Sequence, residues 1–156
     1  MMVRNSLIST FYTAFQQKDA AGMKACYSPK VIFNDPVFRN LDYDGVTAMW
    51  EMLLKNGKDL ALEFEVLEEN EQAAKAKWVA TYTFSRTKRK VVNEIMATFK
   101  LEDGKIIQHT DHFDFHKWSS QALGMSGKLL GWTSFLKQKV SENAMDSLAK
   151  YRSKQA

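Results

Sequence analysis

From residue 60 to residue 115 the chain alternates apolar and polar side chains with little interruption, and this two-residue period restricts the fold more than any other feature. Leu60, Leu62, Phe64 and Val66 alternate with Glu63 and Glu65. Ala74, Ala76, Trp78, Ala80, Tyr82 and Phe84 alternate with Lys75, Lys77, Thr81 and Thr83. Val91, Ile95, Ala97, Phe99 and Leu101 form the inward set of a third run. Successive side chains of a strand point to opposite faces, so each run reads as a half-buried strand. Glu102-Asp103-Gly104-Lys105 reads as a hairpin turn with a glycine to take positive φ, and a last strand is expected from Ile106 to Phe115. Strands in such close succession pair antiparallel.

Helical spacing brackets this block. Leu7, Ile8, Phe11, Ala14 and Phe15 recur at helical intervals. Asp19 is placed to cap a second short helix through Cys26, which Pro29 is expected to end. Val31-Ile32-Phe33 reads as a short strand, broken by Asn34-Asp35-Pro36, where the proline holds Asp35 extended. A helix is expected over about 46–55, another over 117–123 ending at Gly124, and a longer one over about 133–150. The last carries Phe135, Leu136, Val140, Ala144 and Leu148 along one side. Helices segregated from a run of strands make an α+β domain. The 156 residues suit a single domain, with a core over about 5–125 and a helical extension over about 126–156. A curved sheet wrapped on the N-terminal helices leaves a cup at its concave face. Phe15, Phe33, Trp50, Trp78, Tyr82 and Phe113 are expected to line it and bind a ligand.

The last strand carries the chemistry. Its odd positions, Ile107, His109, Asp111, Phe113 and Phe115, hold the aromatic side chains and should face inward. That puts His109 and Asp111 two residues apart on one apolar face. Polar groups are costly there unless hydrogen-bonded. Burial raises a carboxyl pKa and a neighbouring His⁺ lowers it, so the pair is a candidate acid/base site. The plainer alternative is that the two satisfy each other and do nothing more. His109, His112 and His116 invite a metal, but His109 and His112 point to opposite faces of a strand and no cysteine joins them, so no metal is expected. Cys26 has no activating histidine nearby in sequence and reads as a small buried hydrophobe.

Several segments resemble the nuclear transport factor 2-like superfamily: Phe11-Tyr12-Thr13-Ala14-Phe15, Lys18-Asp19, Val31-Ile32-Phe33-Asn34-Asp35-Pro36, Glu102-Asp103-Gly104-Lys105-Ile106-Ile107 and Asp111-His112-Phe113-Asp114. The likeness is greatest to the SnoaL-like branch, which holds polyketide cyclases and has ketosteroid isomerases and limonene epoxide hydrolases as relatives. It implies a cone-shaped cup over about residues 5–125. It also implies that Asp35 matches the isomerase base, that Asp111 matches the last-strand carboxylate of the cyclases and epoxide hydrolases, and that His109 lines the pocket. The isomerases' two oxyanion donors fall at about Phe11 and Ile95 here, with Tyr12 one position away. Trp78, Ala80 and Tyr82 stand where the epoxide hydrolases carry Arg and Asp.

The expected function is binding of a small apolar carbonyl compound, with proton transfer of isomerase, cyclase or lyase type by Asp111 with His109, or by Asp35. The alternatives are a non-catalytic ligand-binding protein and a dimeric adaptor. No cofactor is expected. A homodimer through the exposed sheet face around Val79, Thr81, Thr83 and Thr98 is expected. The net charge of +4, with Arg86, Lys88, Arg89 and Lys90 clustered, comes without a recognition motif, so no nucleic-acid partner is expected. No apolar run is long enough to span a bilayer, and the N-terminus lacks a long apolar stretch with a cleavage site, so a cytoplasmic protein with no membrane partner is expected.

Overall fold

The computed structural model describes residues 6–155; the outermost positions of the expected core and extension, residue 5 and residue 156, lie outside them. Ser6 caps helix α1 (Leu7–Gln16), its Oγ accepting from Ser9 N at 2.9 Å. Asp19 caps α2 (Ala20–Ala25) in the same way through Gly22 N. Strand β1 (Tyr27–Asn34) follows at once, so Pro29 lies inside the strand and does not end the helix. Proline lacks a ladder donor but is tolerated on an edge strand, which β1 is. Asp42 caps α3 (Tyr43–Asn56), which starts three residues earlier than the apolar spacing suggests.

Strands β2 (Ala61–Glu69), β3 (Ala73–Phe84), β4 (Arg89–Glu102) and β5 (Lys105–His112) complete a five-stranded sheet of order β1-β5-β4-β3-β2. Every pair is antiparallel except β1–β5. The basic run Arg86–Lys90 lies at the exposed β3–β4 hairpin, as its composition suggests. Three helices close the chain: α4 (Phe115–Leu123), capped by Asp114, α5 (Met125–Leu130), which the sequence reading lacks, and α6 (Ser134–Gln155).

The inward parity of β5 is not the uniform odd set. Leu101 pairs with Ile106 but Lys100 pairs with Gln108, so Ile107 is an extra residue in a bulge. Ile106 is fully buried and Ile107 only partly, while His109 and Asp111 do face inward. The strand ends at His112, so Phe113 follows it and Phe115 opens α4.

The core lies between the concave sheet face and α1 and α3, and it is largely aromatic. Phe11 meets Tyr27, Trp50, Phe99 and His109 edge-on, with centroids 5.4–6.5 Å apart. Past Met96 the β4 edge extends beyond its partner β5. There Gln121 of α4 accepts from Val92 N at 2.8 Å and donates to Val92 O at 3.1 Å, which closes an open edge. On α6 Leu148 is buried, but Phe135 is 71 % exposed rather than on the packed side.

Candidate active site

The open end of the cup holds a cavity of about 340 Å³, within the range of small-molecule sites. Its walls are Phe15 from α1, Trp50 from α3, Trp78 and Tyr82 from β3, and Ile95 and Asn93 from β4. Val140, Asn143, Ala144 and Ser147 of α6 form one side. Two carboxylates open into it, Asp35 and Asp111. The parallel β1–β5 register explains their proximity: Asn34, the last residue of β1, pairs with Thr110, so the residues that follow, Asp35 and Asp111, come alongside.

Asp111 ends a buried hydrogen-bonded chain. Trp50 Nε1 donates to Tyr27 Oη at 2.9 Å, Tyr27 Oη is 2.9 Å from His109 Nδ1, and His109 Nε2 is 3.0 Å from Asp111 Oδ1. An indole N–H can only donate, so the tyrosine oxygen accepts from Trp50 and its own O–H is directed to His109 Nδ1. The ring proton of His109 then sits on Nε2 and is donated to Asp111. Trp78 Nε1 approaches the same oxygen at 3.5 Å. This leaves Asp111 Oδ2 without a hydrogen bond from any described residue, and Asp111 is part of the cavity wall.

Asp35 is held differently. Its Oδ1 accepts from Val37 N at 2.7 Å and Phe38 N at 2.6 Å, the local turn that Asp before Pro favours. Ser141 Oγ of α6 donates to Val37 O and ties this turn to the last helix. Burial pushes the Asp35 carboxyl from an ordinary 3.8 up to about 7, against the two backbone donors, and the charge of Asp111 pushes the same way. Tyr82 Oη accepts from Trp118 Nε1 at 2.8 Å, which leaves the tyrosine proton free to donate. Burial, partly offset by that bond, raises its pKa, so it remains a donor at neutral pH.

Of the residues expected from sequence, Asp35, Asp111, Phe15, Trp50, Trp78, Tyr82 and Phe113 all line the cavity. Two do not. His109 is fully buried behind Asp111, and Phe33 lies edge-on against His109 with centroids 4.9 Å apart. Phe33 therefore packs the support of the site and is not a ligand contact. Three contributors were missed. Asn93 shares the inward parity of Val91 and Ile95, and a polar residue in that set was the available signal. It is 8 % exposed, lines the cavity, and its amide has no partner among the described residues. Trp118 follows Phe115 at helical spacing. Tyr27 was hidden by reading the segment as the end of a helix. Among the described residues, no three His, Cys, Asp or Glu side chains are grouped to hold a metal ion.

Residues 8–109 match the family of the SnoaL-like domain, about two thirds of the chain. The chain belongs to the SnoaL-like family. Solved structures agree on the fold of this SnoaL-like chain. A candidate polyketide cyclase from Xanthomonas campestris is 19 % identical, with a TM-score of 0.64 over 74 % of this chain and 93 % of its own. Another from Pseudomonas putida is also 19 % identical, with a TM-score of 0.65 over 78 % and 99 %. An epoxide hydrolase of limonene epoxide hydrolase type from M. tuberculosis is 14 % identical, with a TM-score of 0.60 over 80 % and 92 %. No curated protein matches the chain.

Proposed function

We propose that this SnoaL-like protein is an acid/base enzyme that moves a proton at carbon in a small apolar compound bearing a carbonyl oxygen. The observation that supports it is the pair of carboxylates in one aromatic cavity, one held toward neutrality and one held as an acceptor. Burial holds a proton on Asp35 while Asp111 Oδ1 accepts from His109, and this difference divides the acid and base roles. Asp111, with Oδ1 fixed by His109, presents Oδ2 as the base. Asp35, its carboxyl pushed up to about 7 by burial, serves as the acid toward the substrate oxygen. Tyr82 O–H and the Asn93 amide are further donors to oxygen on the same walls. His109 does not reach the cavity; it orients Asp111. The relatives described as polyketide cyclases and as an epoxide hydrolase make acid/base work on apolar substrates a natural use of this cup.

The test is turnover against a panel of apolar ketones. Asp111→Asn keeps the acceptor for His109 but removes the base, and kcat should fall about 10²–10⁴-fold with thermal stability little changed. As an acid, Asp35 sends kcat/KM down as pH rises through about 7; a rise through that pH would make Asp35 the base instead. Tight ligand binding with no turnover in either wild type or Asp111→Asn would make the cup a carrier.

A further inference from the structure

We propose that the end of the molecule around α5 and the β3–β4 hairpin docks on an anionic lipid surface. Five large apolar side chains are exposed together there: Met125 at 67 %, Leu129 at 62 %, Leu130 at 45 %, Trp132 at 74 % and Phe135 at 71 %. They face out because the other side of α5 is pinned. A Cβ on Gly127 would lie 1.9 Å from Ser119 O of α4, so this helix packs by bare backbone and has no inward room for its large residues. Trp132 Nε1 donates to Leu129 O at 2.9 Å, which holds the indole beside α5. His116 Nε2 lies 3.0 Å from Lys128 O.

The basic hairpin sits against the end of α4 and the Gly124 junction that leads into α5. Thr87 Oγ1 donates to Ala122 O at 2.5 Å, Arg89 Nε donates to Gln121 O at 2.7 Å, and the Arg89 guanidinium lies over Gly124. Residues 85–93 hold Arg86, Lys88, Arg89 and Lys90, and residues 115–140 hold Lys117, Lys128, Lys137 and Lys139; neither segment contains an Asp or Glu. The rest of the chain, with fourteen basic and eighteen acidic side chains, is net negative. Basic side chains therefore concentrate in the segments that carry the apolar cluster and the hairpin.

A second copy of the chain docked there about a two-fold axis would set these cations against one another. A single-stranded nucleic acid would stack on the two rings but give Met125, Leu129 and Leu130 nothing to bury against. An anionic bilayer satisfies both features, with apolar side chains at the acyl boundary and lysines among the headgroups. The expectation of no membrane partner takes the apolar side of the last helix as packed on the domain, but its Phe135 is 71 % exposed. Among the described residues no helix is long and apolar enough to cross a membrane, and surface docking requires none. Ser85 and Arg86 of the hairpin and Leu123 of α4 also line the cavity, so docking brings its rim to the source of apolar compounds. The proposal stands on the surface alone and does not require the cavity to be catalytic.

The experiment is co-sedimentation of the full chain with phosphatidylcholine vesicles, with and without phosphatidylglycerol, followed by tryptophan emission. Trp50, Trp78 and Trp118 are buried, so a vesicle-induced blue shift reports Trp132. Binding to the anionic vesicles with a blue shift is expected, weakened by salt. Lys88→Glu with Lys128→Glu, and separately Trp132→Ser with Phe135→Ser, should each lower partitioning about tenfold or more, with the melting temperature unchanged. Any one of three results would overturn the proposal: no binding to anionic vesicles, a blue shift driven by protein concentration without vesicles, or equal salt-labile binding to a single-stranded oligonucleotide with no shift. Turnover of soluble ketones by the same variants separates this outcome from that of the catalytic reading.

Discussion

Two tyrosines show how the same deletion takes opposite signs. Tyr27 Oη joins Trp50 to His109, so Tyr27→Phe orphans an indole N–H and an imidazole nitrogen in the core. It should cost about 2–4 kcal/mol, read as a lower denaturant midpoint. Tyr12 is also fully buried, but its hydroxyl has no partner among the described residues. Tyr12→Phe should be neutral or stabilising by about 1 kcal/mol in the same assay. Asp35 makes a pH-dependent case. Its folded pKa of about 7 lies above the ordinary 3.8, so the native state holds a proton that the unfolded chain releases between those values. The contribution of Asp35 to stability is then full below about pH 4 and is lost as pH rises to 7 and beyond, by up to about 4 kcal/mol. Asp35→Asn, which keeps the acceptor for Val37 and Phe38, should be more stable than wild type at pH 8 and no better at pH 4. Sequence shows the identity of these groups but not their hydrogen bonds. Asp111 was legible from strand parity, and Asp35 from the family resemblance that matches it to the isomerase base. Asn93 obeyed the same parity and was passed over because its neighbours are apolar.

Elements were read best where one period governs a long run. The residue sets of β2, β3 and β4 follow directly from alternation, and Asp19 caps its helix as its position suggests. Errors arose where a single residue resets the pattern. The bulge at Ile107 shifts parity in β5 because the partner strand skips a residue there, and nothing local in sequence marks it. Pro29 reads as a helix breaker but sits on a sheet edge, a distinction that only the pairing order makes. Helix α5 has six residues and almost no inward side chains, so it carries no periodic signal. Its place depends on glycine: Gly127→Ala would drive a methyl into Ser119 O and should cost about 3 kcal/mol, seen as a lower melting temperature.

At the scale of the whole molecule, the outer sheet face remains available. Val79, Thr81 and Thr98 are half-buried on it, but Thr83 is engaged, its Oγ1 donating to Asp59 Oδ2 at 2.6 Å. Glu65 pairs across strands with Lys77, so the face carries both signs of charge and can complement itself about a two-fold axis. We infer a homodimer through this face; sedimentation should show it, and Thr81→Arg should return it to a monomer.

Helix α6 has a different kind of consequence. The family match ends at His109, yet Val140, Asn143, Ala144 and Ser147 complete the cavity wall. Asp111 on β5 and Asp35 in the turn after β1 thus sit at the heart of the cup, while part of its boundary belongs to an appended segment. Selection can rewrite that boundary without disturbing the sheet, so preference for one guest over another can drift while the carboxylate pair stays in place. Randomising those four α6 positions should yield many folded proteins that differ in what they accept.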